Sequence, residues 1–138
     1  MTNLEQAKDV FKKGKYTCVL CKANTVYTSL ARGVSPLVHW LQTGVDLHGF
    51  SAADKIIGKA AAMLFVLAGV TEVYAPVVSN AAVTVLERYG ITIYYDITVA
   101  AIQNRRGTGS CPMEKAVEKI EEPKVALAAI EATLEQLR

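Results

Sequence analysis

The chain has 138 residues, of which 51% are hydrophobic and 20% are charged, and its formal net charge is +2. This length fits one domain, residues 1–138, which can bury roughly two-thirds of the surface that the unfolded chain would expose. The composition excludes a disordered protein, and a small net charge with interspersed acids and bases argues against a nucleic-acid partner.

The N-terminus and the cysteines predict a cytoplasmic protein. Residues 1–15 have an amphipathic pattern of mixed charge instead of the basic start and apolar middle of a signal peptide. The longest apolar run, Ala60 to Val70, has eleven residues and is too short to cross a bilayer. Three cysteines without an export signal indicate reduced thiols. We therefore expect no membrane partner and no disulfide framework.

The first part of the chain predicts a helix, a hairpin and a short second helix. Apolar residues at helical spacing indicate a helix from Asn3 to Gly14. Residues 17–23 and 25–30 are rich in β-branched and aromatic residues and predict two hairpin strands. Ser35 and Pro36 predict the start of a helix that runs to Gln42. Residues 43–53 are predicted to form a loop.

A helix from Asp54 to Gly69 is predicted to be the centre of the fold. Beyond Lys59 it has almost no polar residue, so other elements have to cover it on every side. Its small residues, Gly58 and Ala60 to Ala62, allow a sheet or another backbone to approach closely. We expect this helix to be buried against the sheet.

The second part of the chain alternates strands and helices. The predicted elements are a strand at 70–76, a helix at 80–89 that ends at Gly90, a strand at 91–97 with residues 99–103 as its continuation or a further edge strand, a loop at 104–110, and helices that start at Pro112 and Pro123. Strands that alternate with helices after a hairpin favour an α/β fold, a three-layer α/β/α sandwich.

This order of elements resembles the cytidine deaminase-like fold. In that superfamily a strand leads into P-C-x-x-C at the start of a helix, and here the corresponding stretch is VYAPVVSNAAVTVLERYGITIYY, with Pro76 at the proline position. The resemblance places Val77 and Asn80 at the two cysteine positions, and Lys59 and Ala61 at the positions of the H-A-E or C-A-E motif. It implies a deaminase-like architecture.

The same resemblance implies a protein without zinc. Zinc deaminases need one His or Cys and two Cys as ligands and a Glu that transfers protons. An ammonium or an apolar side chain cannot bind zinc, and alanine cannot carry a proton. We therefore expect neither a zinc-dependent deaminase nor a cofactor.

Three further stretches resemble a small uncharacterised bacterial and archaeal family, a domain of unknown function that is assigned to this fold. They are DKIIGKAAA, RGVSPL and NRRGTGSCPME. The resemblance covers nearly all of the chain and implies a fold without an assigned reaction.

Cys111 is the candidate for chemistry. With Pro112 at the first helical position, Cys111 lies at the N-cap, where free N–H groups favour a thiolate or a bound anion. A third interpretation leaves no chemistry here: Gly107 and Gly109 shape a turn, and Glu114 bonds back to the cap in a capping box.

Lys59 is the second candidate, because its ammonium can face a ligand in the pocket that the metal would otherwise occupy. The alternative is a lysine whose stem packs while its charge reaches water. Cys18 and Cys21 suggest a metal or redox motif, but residues three apart on a strand point to opposite faces, so the two thiols cannot easily share a metal or a disulfide.

The favoured function is a zinc-independent site for a small anionic or nucleotide-like ligand. The predicted ligand-binding residues are Lys59, Asn80, Asn104, Arg105, Gly107, Gly109, Cys111 and Glu114. Two alternatives remain open: an enzyme with Cys111 as its catalytic nucleophile, and a non-catalytic interaction module that forms a homo-oligomer.

Overall fold

The computed structural model describes residues 1–104 and 106–137, which form six helices and six strands. The helices are α1 (Asn3–Lys13), α2 (Ser35–Gln42), α3 (Lys59–Ala68), α4 (Asn80–Arg88), α5 (Pro112–Val117) and α6 (Pro123–Gln136). The strands are β1 (Cys18–Lys22), β2 (Thr25–Ser29), β3 (Ser51–Asp54), β4 (Ile56–Ile57), β5 (Glu72–Ser79) and β6 (Thr92–Val99). The protein therefore has a mixed α/β fold.

All six strands belong to one mixed sheet. β1 lies between β2 and β3 and is antiparallel to both. β3, β4 and β6 run parallel to β5. β3 and β4 lie end to end along one side of β5, because they pair with its first and second halves, while β6 pairs along the other side. β2 and β6 are therefore the two edges of the sheet.

The two faces of the sheet carry separate hydrophobic clusters. Alternate residues such as Val19, Ala53 and Tyr74 pack against α1, through Leu4 and Ala7. The residues between them, which include Leu20, Ala52 and Val73, belong to the larger cluster with the other helices. This period-two alternation follows from strand geometry.

Helix α3 is the centre of the larger cluster, as predicted. Its residues from Ala60 to Phe65 are all buried, and it packs against α2, α4, α5 and α6. It ends at Gly69, whose φ of 78° is in the left-handed region that favours glycine. The all-apolar sequence is explained by neighbours on every side.

The predicted start of this helix is wrong, and the loop predicted at residues 43–53 ends earlier, at residue 50. The helix begins at Lys59 and not at Asp54, and residues 51–54 form the buried strand β3. Ser-Ala-Ala-Asp has little intrinsic strand preference. It is a strand because it lies between β1 and β5 and fills both hydrogen-bond ladders.

The strand predicted to end at Pro76 continues to Ser79. Proline has no N–H for a ladder, but neither β3 nor β4 pairs with Pro76, and the β6 register passes over it from Ala75 to Val77. Pro76 and Val77 thus lie inside a strand, and α4 starts only at Asn80. The predicted alignment of Pro76 with the proline of P-C-x-x-C at the start of a helix is therefore wrong.

The remaining elements largely agree with the sequence. The hairpin, α1 and α4 lie where they were predicted, and Gly90, with a φ of 75°, follows the end of α4. On α6, Ile130 is fully buried and Leu127 and Leu134 pack against the core. Leu137, predicted on the same stripe, lies just past the helix and is 61% exposed.

Candidate functional site: a cleft beside the start of α3

The start of α3 is capped by a side chain from another helix. Glu114 on α5 accepts hydrogen bonds from the backbone N–H of Lys59 at 2.7 Å, through Oε1, and of Ala60 at 2.8 Å, through Oε2. The first N–H groups of a helix have no partner within the helix, and a carboxylate complements the helix dipole. The N-cap residue Gly58 has no side chain to do this. The predicted capping box, in which Glu114 serves its own helix, is wrong: it serves α3.

The Lys59 side chain is engaged in the same region. Its Nζ donates to the backbone oxygen of Glu118 at 3.0 Å and lies 4.0 Å from Oε1 of Glu121. Glu121 also forms an ion pair with Arg88 of α4 at 2.8 Å, and the hydrogen bond from Arg88 and the charge of Lys59 lower its pKa. With only 12% of its side chain exposed, Lys59 joins the end of α5 to α3.

A cleft of about 860 Å³ lies next to this contact. Its apolar lining comes from several elements and comprises Val34, Ile56, Ala61, Ile102, Met113, Leu134 and Leu137. Polar groups also line it, from the start of α2 and the segment before it, and from α5 and the loop before it: Arg32, Ser35, Gln103, Asn104, Arg106, Thr108 and Glu114. The cleft thus combines an apolar surface with polar and cationic groups.

The loop before α5 is held by its own hydrogen bonds. Asn104 Oδ1 accepts from the Thr108 N–H at 3.1 Å, and the Asn104 N–H donates to the Gly109 oxygen at 2.8 Å. The Cys111 N–H donates to the Ile102 oxygen at 3.0 Å, which closes the base of the loop. Gly107, with a φ of 68°, makes the turn. Hydrogen bonds on both sides of Arg106 and Thr108 therefore hold these two residues next to the cleft.

The structure brings together part of the predicted site. Asn104, Cys111 and Glu114 line the cleft, so the loop does lie beside the start of α3. Gly107 and Gly109 belong to the loop without lining the cleft. Arg105 lies outside the described residues.

Two predicted ligand-binding residues, Lys59 and Asn80, do not line the cleft. Lys59 is bound to α5, and Asn80 is an exposed residue of the first turn of α4 whose backbone oxygen accepts from Thr84. Arg32 and Arg106 line the cleft although neither was among the predicted ligand residues. In the sequence each arginine stands next to a glycine in a loop, but nothing in the sequence shows that the two loops meet.

Cys111 is the N-cap of α5, as predicted, and it is half-buried on the cleft wall. Its backbone oxygen accepts from the Lys115 N–H at 3.0 Å, as an N-cap carbonyl does. The other two thiols, Cys18 and Cys21, are buried in clusters on opposite faces of the sheet. The prediction that they do not share a site is confirmed.

Asp54 is a buried carboxyl close to, but outside, the cleft. Burial raises its pKa from 3.8 to about 7, although backbone hydrogen bonds from Lys55, at 2.7 Å, and from Ile56 act in the opposite direction. It lies opposite Cys18 in the β1–β3 register, and burial together with the Asp54 charge raises the pKa of that thiol well above its usual value. Asp54 is thus a strand-end acid in the core.

Residues 1–104 and 106–137 lack two structural features. They contain no group of three or more His, Cys, Asp and Glu placed to hold a metal ion. None of their helices combines the length and the hydropathy that a membrane span needs.

The fold and the cleft together define a mixed α/β protein with an open cleft at the start of its most buried helix. Residues 6–134 match the family model described as TM1506, a domain of unknown function (DUF1893). The chain belongs to this family.

A similar solved structure is the crystal structure of a DUF1893 family protein (TM1506) from Thermotoga maritima at 2.70 Å resolution. It is 26% identical, the match covers 99% of this chain and 91% of that one, and the TM-score is 0.84. No protein with a curated description matches the chain. The expected relation to a domain-of-unknown-function family is confirmed, and neither matching description mentions a deaminase.

Proposed function

We propose that the cleft binds a small anionic molecule without zinc. The observation that carries this proposal is that two arginines, Arg32 and Arg106, line one cleft from two different loops. Neither forms an ion pair within residues 1–104 and 106–137. Guanidinium groups are suited to carboxylate and phosphate.

The acid in the cleft, Glu114, forms no ion pair with these arginines. Both oxygens of Glu114 already accept from the start of α3. Among the described residues that line the cleft, the two arginines outnumber the single acid, Glu114, so the lining has an excess of positive charge.

The apolar lining indicates what the rest of the ligand is like. A volume of about 860 Å³ is within the range of small-molecule sites, which are mostly apolar with a few polar groups that orient the ligand. An acidic group at the arginines and a ring or short chain on the apolar surface fit this lining. A nucleotide-like molecule is one such ligand.

A three-layer α/β/α arrangement related to the cytidine deaminase-like fold is the finer architecture we propose. Helix α1 on one face of the sheet and α3 on the other support the three layers. The displaced helix start after Pro76 counts against the residue alignment. Whether or not this alignment holds, zinc cannot be bound by the side chains of Lys59, Ala61, Val77 and Asn80. This supports zinc independence. A cytoplasmic location is likewise a proposal, based on the sequence.

Thermal unfolding with a ligand panel tests the proposed binding. The panel contains phosphate, sulfate, small carboxylates, nucleosides and nucleotides, with zinc as a separate sample. A ligand at about a hundred times its dissociation constant adds roughly 2.7 kcal/mol and raises the Tm by several degrees. We expect one anionic class to stabilise the protein, and Arg32→Gln and Arg106→Gln to abolish the shift.

Lys124→Gln is the matched control, because it removes the same charge from an exposed residue outside the cleft lining. It should respond to the ligand as the original protein does. No stabilisation by any anion, or equal loss in the control, would overturn the proposal. Stabilisation by zinc would overturn zinc independence.

A cysteine-dependent enzyme is the second candidate, favoured by the position of Cys111 on the cleft wall. It predicts that iodoacetamide labels Cys111 faster at neutral pH than it labels a free thiol, and that a stabilising anion protects it. The buried Cys18 and Cys21 serve as slow internal references. Labelling at or below the free-thiol rate would leave Cys111 as a wall residue only.

A further inference from the structure

The β6 edge of the sheet is long, regular and unprotected. β6 has eight residues, pairs only with β5 among the described residues, and follows that register without a bulge. Edge strands in monomers are usually short or carry Lys, Pro or a bulge, which prevent pairing with another chain. β6 carries none of these, and Asp96 is its only charge.

The side chains of β6 are unusually apolar for an edge that faces water. Tyr94 and Tyr95 are each 46% exposed and Ile97 is 56% exposed. Tyr94 and Ile97 point to opposite faces of the sheet, because they are three residues apart on a strand. Both sides of the strand thus offer apolar surface next to unpaired backbone groups.

We propose that β6 pairs antiparallel with β6 of a second copy of this chain, which joins the two sheets across a two-fold axis. Such an axis is perpendicular to the sheet and keeps each face on its own side. Directly opposed residues then have to point to the same face of the sheet. Because side chains alternate between the faces, opposed residues are an even number of positions apart, and the axis passes through one residue and not between two. Within residues 92–99, only axes at Tyr95 and at Asp96 allow seven opposed positions.

Charge decides between the two registers. An axis at Asp96 places the two Asp96 carboxylates directly opposite each other, which is destabilising. An axis at Tyr95 opposes Tyr95 to its own copy, Ile93 to Ile97, Thr92 to Thr98, and Tyr94 to Asp96. Aromatic, β-branched and threonine pairs of this kind stabilise antiparallel strands. Asp96 then faces an uncharged ring.

Asp96 is already held in a suitable position. Its Oδ2 accepts from the hydroxyl of Tyr74 at 3.0 Å, so its carboxylate stays on the α1 face and its other oxygen is available. The strand therefore has a self-complementary sequence, which is the requirement for a two-fold interface.

The available area suits a reversible dimer. A half-exposed tyrosine offers about 100 Å² for burial, and a seven-position strand pair with these side chains covers about 1,000 Å² in total, just below the usual range for stable interfaces. We therefore expect dissociation at micromolar concentration.

The opposite edge, β2, supplies a matched control. It has five residues, and Val26 is its exposed large apolar residue, at 38%. Val26→Lys adds one charge to an edge strand exactly as Tyr95→Lys does, but at the other end of the sheet.

Light scattering over a concentration series tests the dimer. We expect the mass to rise from one chain, 14.9 kDa, towards two over about 1–100 µM. Val26→Lys should behave in the same way, whereas Tyr95→Lys should stay monomeric because it places two lysines opposite each other. A monomer at every concentration, a mass beyond two chains, or a dimer that persists in Tyr95→Lys would overturn the proposal.

Cross-linking tests the register without depending on the Tyr95→Lys variant. In a Cys111→Ser background, Tyr95→Cys places two cysteines directly opposite each other, within the Cα separation that a disulfide needs. We expect oxidation to link two chains through Tyr95→Cys far faster than through Asp96→Cys. Faster linking through Asp96→Cys, or none through either, would contradict the Tyr95 axis.

Discussion

Two polar regions lie side by side in this molecule and differ in what their groups bind. At Asp54 and at the start of α3 the polar groups are hydrogen-bonded within the protein: Asp54 accepts from the Lys55 N–H, Glu114 caps α3, and Lys59 is bonded to the end of α5. In the lining of the cleft, Arg32 and Arg106 have no ion-pair partner among the described residues. The first region serves stability, and the second has the free groups that a ligand needs.

The comparison shows why charge near a buried helix is a poor guide to a site. Lys59 is the charge closest to the core helix in the sequence, yet its ammonium holds two helices together. Buried polar groups are costly unless bonded, so the fold satisfies them first. Each buried side-chain nitrogen or oxygen of the described residues has a hydrogen-bond partner.

The largest expected effect within the buried region is the pH dependence of Asp54. Its pKa is about 7 in the folded protein against 3.8 for the free group, so the folded protein holds this proton more tightly. Its contribution to stability is therefore greatest below pH 3.8, falls as the pH rises to about 7, and is constant above that. A shift of this size corresponds to about 4 kcal/mol.

Urea unfolding of the protein and of Asp54→Asn between pH 4.5 and 8 measures this effect. As the pH rises, the free energy of unfolding of the original protein should fall relative to that of Asp54→Asn, because Asp54 becomes charged and asparagine stays neutral. The neighbouring Cys18 thiol, whose pKa is raised, stays protonated in this range. The two free energies of unfolding can differ by a constant amount, because the substitution changes a hydrogen bond. If that difference stays the same at every pH, the raised pKa of Asp54 is refuted.

Removal of the Glu114 carboxylate should have the next largest effect. Glu114→Ala leaves two N–H groups at the start of α3 without their acceptor, which costs about 2–3 kcal/mol. Glu114→Gln keeps one acceptor oxygen and should lose about half of that. Glu118→Ala is the control on the same segment, because only its backbone oxygen is bonded to Lys59, and it should change stability by less than about 0.5 kcal/mol.

A double-mutant cycle with Gly58 sharpens this prediction. A Cβ on Gly58 would overlap the Glu114 carboxylate and push it from the helix start. Gly58→Ala should therefore be destabilising in the original protein and close to neutral in Glu114→Ala. Additive losses would show that the carboxylate does not act through this contact.

The smallest expected effect is that of Lys59→Met. The variant keeps the packed stem and loses the bond to the Glu118 oxygen and a pair with Glu121, whose side chain is 67% exposed and screened by solvent. We expect a loss of at most about 1 kcal/mol. Anion binding in the cleft should not change, in contrast to Arg32→Gln. A selective loss of binding in Lys59→Met would return Lys59 to the site.

The sequence predicted those elements that carry strong local signals. The hairpin, α1, α4 and α6 have clear periodicity or terminating residues. The sequence did not predict β3, because its small residues carry no strand signal. It also ended β5 too early at Pro76, where proline is tolerated only because the hydrogen-bond ladder has a gap. For the cleft, the loop and Cys111 could be predicted from a helix start, but the contribution of Arg32 could not, because its segment is distant along the chain.

The amino-acid sequence by itself determined that this is an α/β protein around one apolar helix, because periodicity, caps and glycines act within a few residues. Only the tertiary structure decided which strands share the sheet, that Glu114 belongs to α3, and that Arg32 and Arg106 face one cleft. The contact of Glu114 with α3 and the meeting of the two arginines join residues more than fifty positions apart. Local propensities do not encode such contacts; the packing of a particular helix on a particular sheet does.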